Sequence, residues 1–128
     1  MDGVVVESRI NGGLPAVLVD DIQIGQIVLN LLTNAVQAMD GKGQITIDAS
    51  AAGDRVHYDV HDSGPGVPAE LLEKIFEPLY TTKARGIGLG LAVSRTLARA
   101  NGGDLNASNA SSGGAVFRLT LPIAASPS

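Results

Sequence analysis

The 128-residue chain contains no cysteine, which excludes disulfides, thiolate metal sites and thiol chemistry and leaves its redox compartment open. Aromatic residues are scarce. Tyr58, Phe76, Tyr80 and Phe117 are the full complement, so any core has to be built mainly from aliphatic side chains. Nine Lys and Arg residues stand against thirteen acidic ones, for a net charge of −4, and the basic residues form no cluster. A surface of that kind is not suited to neutralising many phosphates, which argues against DNA or RNA as a partner. No apolar run approaches the about 20 residues of a membrane-spanning helix, and the N-terminus lacks a basic stretch followed by a hydrophobic one. The chain is therefore expected to be soluble and cytoplasmic, an expectation that leaves room for a membrane-anchored parent.

What is present is globular in character. Hydrophobic residues make up 45% and charged residues 17%, with apolar positions spread along the chain. The length suffices for one core and is too short for two ordinary domains, so residues 1–128 are expected to form a single domain, with residues 123–128 as a frayed tail. Gly3 to Ile10 reads as a strand closed by Asn11-Gly12-Gly13. From Asp20 or Asp21 to about Met39, Ile24, Ile27, Val28, Leu31, Leu32, Ala35 and Val36 recur at helical spacing. Gln44 to Ser50 and Arg55 to His61 alternate in strand fashion around Gly53-Asp54, which predicts a hairpin. Pro68 suits the first turn of a short helix through Leu71, Leu72 and Ile75, and a second long helix is predicted from about Gly88 to Ala100. Two strands, roughly Asp104 to Ser108 and Ala115 to Leu121, complete the order. That order implies an α+β two-layer sandwich, a mixed sheet of about five strands packed on about three helices.

Three motifs carry chemistry. Gln26, Asn30 and Asn34 recur every four residues along the first helix, although Asn is a mediocre helix former. An amide oxygen there can ligate Mg²⁺, which takes hard oxygen donors and few protein ligands; for an isolated Asn-x-x-x-Asn, a solvated helix face is the commoner explanation. Asp62 ends a half-buried strand and is followed by Gly64 and Gly66 with Pro65 between them. Its carboxylate can accept a hydrogen bond from the adenine amino group, where guanine presents a keto oxygen, and the two glycines would let the backbone approach the ring; an ordinary strand-terminating turn has the same composition. Gly86, Gly88 and Gly90 lie directly before the second long helix. Unpaired N–H groups at such a helix start attract phosphate, and Ile87, Leu89 and Leu91 between the glycines count against a mere linker. No P-loop is present, and the run does not follow a strand as a dinucleotide fold requires. Together the three point to ATP.

In their order and joint spacing these motifs resemble the ATP-binding catalytic domain of sensor histidine kinases, in the superfamily that includes gyrase, Hsp90 and MutL. Asn30 to Ala35 is similar to the N box, Asp62 to Gly66 to the G1 box, Ile75 to Lys83 to the F box and Gly86 to Leu91 to the G2 box. Gly114-Ala115-Val116-Phe117 is similar to the last glycine motif, and the short loop after the F box resembles the nitrogen-regulation and oxygen-sensing kinases. The resemblance implies a Bergerat-type fold with MgATP as the bound species. It places Asn34 on the metal, Asp62 on adenine, and Gly64, Gly66, Thr82, Lys83, Gly86, Gly88, Leu89 and Gly90 around the nucleotide. It makes Asn30, Asn34, Lys83 and Arg85 the candidates for catalysis. Asn30 stands where the hydrolysing relatives carry a Glu that activates water, and an amide cannot act as that base.

The resemblance therefore implies transfer of the γ-phosphoryl group to a histidine on a separate dimerisation and phosphoacceptor domain, with a response regulator reached indirectly. Phe76 and Tyr80 either dock that domain or belong to a satellite core. Gln37 stands where many members carry a Lys or Arg, Leu79 replaces a common Phe, and Ala115 replaces a common Thr. His57 and His61 fall on a predicted strand, read as satisfied or solvated side chains and not as phosphoacceptors. The chain is thus expected to be a monomeric piece of a longer, homodimeric kinase. An ATP-hydrolysing enzyme and a non-enzymatic nucleotide-sensing module of the same superfamily are the competing readings.

Overall fold

In a computed structural model that describes residues 4–10, 21–39, 42–77 and 90–123, the described residues form β1 (Val4–Ile10), α1 (Asp21–Ala38), β2 (Gly43–Ala52), β3 (Arg55–Asp62), α2 (Gly90–Ala100), β4 (Asp104–Asn109) and β5 (Ala115–Pro122). The strands make one sheet in the order β1-β2-β3-β5-β4. β1 runs parallel to β2, and every other pairing is antiparallel, which gives the expected mixed sheet of five strands. β2 and β3 are the predicted hairpin: Ala52 lies opposite Arg55, and Gly53 takes the left-handed φ of 62° that so short a connection requires.

The two helices pack on one face of this sheet because their apolar spacing leaves a single stripe to bury. In α1 the buried positions are Ile27, Leu31 and Ala35, one turn apart, continued by Met39 just beyond the helix end. Ala98 of α2 joins them, and Ile45, Val60, Leu105, Phe117 and Leu119 supply the sheet side of the same cluster. The core is aliphatic apart from Phe76 and Phe117, whose rings meet edge to face at 6.3 Å and 69°.

The segment after Pro68 departs from expectation. In place of one short helix it makes two 3₁₀ turns, Ala69–Leu71 and Lys74–Phe76, each closed by bonds three residues apart, such as Leu71 N–H to the Pro68 carbonyl and Phe76 N–H to the Glu73 carbonyl. A segment this short cannot nucleate an α-helix by itself, and tertiary contacts set its shape. Adjacent Ile75 and Phe76 are both buried, while Glu73 is drawn to Arg95 of α2.

Arg95 organises this corner. Its Nη1 and Nη2 donate to the two Glu73 carboxylate oxygens at 3.0 and 3.2 Å, its Nε donates to the Leu105 carbonyl at 3.0 Å, and its guanidinium lies 4.1 Å from the centre of the Phe76 ring. One side chain thereby ties α2, the 3₁₀ segment and β4 together. The hydrogen bond and charge of Arg95 hold the Glu73 carboxyl below its ordinary value. Burial pushes Asp104 upward, but the Leu105 N–H, a hydrogen bond from Arg99 and the charges of Arg99 and Arg95 outweigh it, so its net shift is downward.

A carboxylate whose pKa is lower folded than unfolded stabilises the fold at neutral pH, and that contribution is lost as the pH falls below the ordinary carboxylate range. Asp104→Asn should therefore lose less stability than the parent on acidification from about pH 6 to about pH 3, measured by urea denaturation at stepped pH. Superimposable acid limbs for the two proteins would contradict this.

Candidate functional site

Strand alternation puts Asp62 on the helix-covered face, in line with Val60 and opposite Ile45, so the last residue of β3 turns a carboxylate into the core side of the sheet. It is only 2% exposed. A buried carboxylate needs donors, and two backbone groups supply them: Gly64 N–H at 2.9 Å and Ala115 N–H at 3.3 Å, both to Oδ1. Oδ2 has no partner among the described residues, and since no fully buried side-chain oxygen is left unsatisfied, it keeps a path to solvent. The arrangement is a carboxylate fixed through one oxygen and open at the other.

Gly114 is needed for this brace. With φ at 85°, it lies so close to β3 that a Cβ would overlap the Asp62 carbonyl oxygen. The glycine of the last motif thus lets the β4–β5 hairpin close over the strand end and bring the Ala115 N–H to the carboxylate.

The register of the two helices fixes where Asn34 and the first described residue of α2 lie. Asn30 Nδ2 donates to Ser94 Oγ at 3.0 Å, and Asn101 Nδ2 donates to Gln23 Oε1 at 2.9 Å. Moving from Gln23 to Asn30 along α1 thus matches moving from Asn101 back to Ser94, seven residues in each case, so α1 and α2 are antiparallel. One turn further in this register, Asn34 comes level with Gly90, where α2 begins. Beyond Asn34, the C-terminus of α1 meets the glycine turn, since Ser63 Oγ donates to Met39 Sδ at 3.4 Å. The Asp62 turn therefore lies at the C-terminal end of α1, one turn or so beyond Asn34.

The two asparagines differ in what they touch. Asn30 is engaged between the helices, accepting from Gln26 Nε2 at 3.3 Å and donating to fully buried Ser94. Asn34 is half-buried and has no hydrogen-bond partner among the described residues. Its amide oxygen is a hard donor of the type Mg²⁺ takes, and a metal that keeps its waters and substrate oxygens needs few protein ligands. Among the described residues no group of three or more His, Asp or Glu could hold a metal by itself.

Several expected residues fall elsewhere. Tyr80, Thr82, Lys83, Arg85, Gly86, Gly88 and Leu89 lie outside the described residues, and so does the predicted start of the second helix at Gly88. Phe76 is 5% exposed, with its ring against Phe117 and the Arg95 guanidinium; of the two roles left open for it, the structure gives it core packing and removes it as a docking side chain. His57 pairs with Thr120 Oγ1 at 3.0 Å, and His61 Nε2 donates to the Gly113 carbonyl at 2.9 Å, so both are the satisfied strand histidines expected. A polar cleft of about 460 Å³ opens at this strand end; Asp62, Ser63 and Gly64 line it together with Thr46, Asp48 and His61, which lie on the sheet face opposite Ile45. The sequence reading missed Ser94 and Arg95. A serine between Leu91 and Leu97-Ala98, in the apolar stripe of α2, was the available signal that a buried hydroxyl would need a partner.

Known proteins share the sequence and fold of this chain. Residues 19–125 match the family described as histidine kinase-, DNA gyrase B- and HSP90-like ATPases. The chain is 42% identical over 113 residues to sensor histidine kinase ZraS of Escherichia coli O157:H7, covering 88% of this chain and 25% of that protein. It is 38% identical to sensor protein FixL of Bradyrhizobium diazoefficiens over 88% of this chain and 23% of that one. The chain thus spans about a quarter of the length of these curated relatives. Among solved structures, the nucleotide-free catalytic domain of histidine kinase ThkA superposes with a TM-score of 0.84 at 34% identity, covering 94% of this chain and 79% of that one. Full-length ShkA in complex with AMPPNP gives 0.81 at 34% identity, covering 98% of this chain and 27% of that one. The chain belongs to the family of histidine kinase-, DNA gyrase B- and HSP90-like ATPases, and its relatives are the catalytic domains of sensor histidine kinases.

Proposed function

We propose that the chain binds MgATP and transfers the γ-phosphoryl group to a histidine on a separate dimerising domain, from which a response regulator is phosphorylated. The observation that carries this reading is Asp62, a buried carboxylate held by two backbone N–H groups with its second oxygen open. At the position where adenine presents its amino group and guanine or hypoxanthine a keto oxygen, a hydrogen-bond acceptor favours adenine. Asn34 is the residue that would hold Mg²⁺, whose contribution when bound is to neutralise charge on the phosphates. The start of α2 at Gly90, level with Asn34, offers N–H groups and the positive end of a helix dipole to the same phosphates. Lys83 and Arg85, with Thr82, Gly86, Gly88 and Leu89, complete the proposed nucleotide site.

The transfer breaks the bond between the γ-phosphorus and the bridging oxygen that leaves with ADP, and forms a bond from the acceptor imidazole nitrogen to that phosphorus. Such a reaction is accelerated mostly by positioning and charge stabilisation. No general base for water is required, and Asn30 provides none: its amide bridges α1 and α2. That engagement weighs against hydrolysis as the principal activity. Histidine kinase ThkA has also been solved in complex with the response regulator TrrA, which supports a response regulator as the downstream partner here.

In titration calorimetry, Asp62→Ala should weaken ATP binding by about 10- to 100-fold, the loss of a hydrogen bond to a charged group. Asn34→Ala should lower affinity only when Mg²⁺ is present. Parent-like binding by both variants contradicts the site. A second expectation concerns the chemistry. Mixed with a purified acceptor domain and ATP labelled at the γ-phosphate, the chain should place acid-labile label on the acceptor histidine. Steady ATP turnover by the chain alone, without label on the acceptor, would instead support a hydrolase.

A further inference from the structure

The glycine turn that follows Asp62 is closed at its far end by Asn109, a residue outside the nucleotide-binding motifs. Asn109, the last residue of β4, accepts the Val67 N–H on Oδ1 at 2.8 Å and donates from Nδ2 to the Val67 carbonyl at 2.6 Å. A side-chain amide here pairs with both polar groups of one backbone residue, as a neighbouring strand would. Asn109 is also the residue directly opposite Ala115 in the β4–β5 ladder, and the Ala115 N–H is what holds Asp62 Oδ1. Both ends of the turn from Asp62 to Val67 are thus fastened to one rung of one hairpin.

Gly66 is shaped to this clamp. Its φ is 82°, and a Cβ there would come within 2.7 Å of Asn109 Oδ1, so the second glycine of the motif admits the asparagine as well as the turn. The donor pattern matters as much as the fit. Only a primary amide of this length presents an acceptor and a donor side by side; a carboxylate of nearly the same shape would set an oxygen against the Val67 carbonyl.

We propose that Asn109 is a positioning residue for adenine recognition: by clamping Val67 to the rung that carries Ala115, it fixes the turn that orients the Asp62 carboxylate toward the base. This rests on the reading of Asp62 as the adenine acceptor. Asn109 itself is exposed and touches the turn, not the nucleotide site, so its removal acts on how well the carboxylate discriminates and little on whether the domain folds.

The test compares the parent, Asn109→Asp, Asn109→Ala and Asp62→Ala for melting temperature and for affinity toward ATP and inosine triphosphate, which carries a keto oxygen where adenine has its amine. Both Asn109 variants should lose about tenfold in ATP affinity and should narrow the preference for ATP over inosine triphosphate by a similar factor, with melting temperatures lowered by no more than about 8 °C, the loss of roughly one hydrogen bond's worth of stability. A residue that merely filled space would leave the preference unchanged, and near-isosteric Asn109→Asp would behave as the parent. The proposal is overturned if both Asn109 variants keep the parent's preference while Asp62→Ala weakens ATP binding as expected. If Asp62→Ala itself binds ATP as the parent does, the reading of Asp62 falls, and the role of Asn109 falls with it.

Discussion

A carboxylate buried at the end of a strand is unfavourable unless donors meet it, and at Asp62 both donors are main-chain N–H groups. Hydrogen bonds to a charged group contribute about 1.5–3 kcal/mol each, enough to hold the side chain in one orientation. Main-chain donors also cannot rotate away as side chains can. Placing them correctly constrains much of the surrounding structure. The turn through Gly64 and Gly66 has to fold back on the carboxylate, Gly114 has to lack a Cβ, and the β4–β5 hairpin has to end beside β3.

The helices add a second constraint. Two polar bridges, Asn30 to Ser94 and Asn101 to Gln23, lie along an otherwise apolar contact and give the antiparallel helices a defined register. Apolar side chains alone tolerate sliding; a buried hydroxyl that needs its partner does not. The register brings Asn34 level with the first residue of α2. Next to Ser94, Arg95 binds the 3₁₀ segment and β4 to the same helix, so α2 is held from two directions.

Much of this was legible in the sequence because its determinants are local. The four-residue spacing of Ile27, Leu31 and Ala35 specifies both a helix and its buried side, and Gly53-Asp54 between alternating runs specifies a hairpin. Asp62 with its glycines marked the strand end correctly, since turn chemistry and ligand chemistry call for the same residue types there. What escaped depends on partners far along the chain. Asn109 meets Val67 across 42 residues and Ser94 meets Asn30 across 64, and neither residue has a neighbour that announces the pairing. The division of the segment after Pro68 into two 3₁₀ turns has the same origin, because Arg95 and the burial of Ile75 and Phe76 shape it. Phe76 shows the limit from another side: an aromatic in a recognisable motif suited docking and core equally well until its contact with Phe117 placed it inside.

The account turns on whether the open oxygen of Asp62 meets the amino group of a purine. Backbone amide resonances of Gly64 and Ala115, followed during titration with ATP and separately with inosine triphosphate, report on that carboxylate through the two N–H groups bonded to it. Displacement of both resonances by ATP, with much smaller displacement by inosine triphosphate, is the predicted result. Equal displacement by the two nucleotides, or none with ATP bound, would contradict the assignment of Asp62 as the base-reading group.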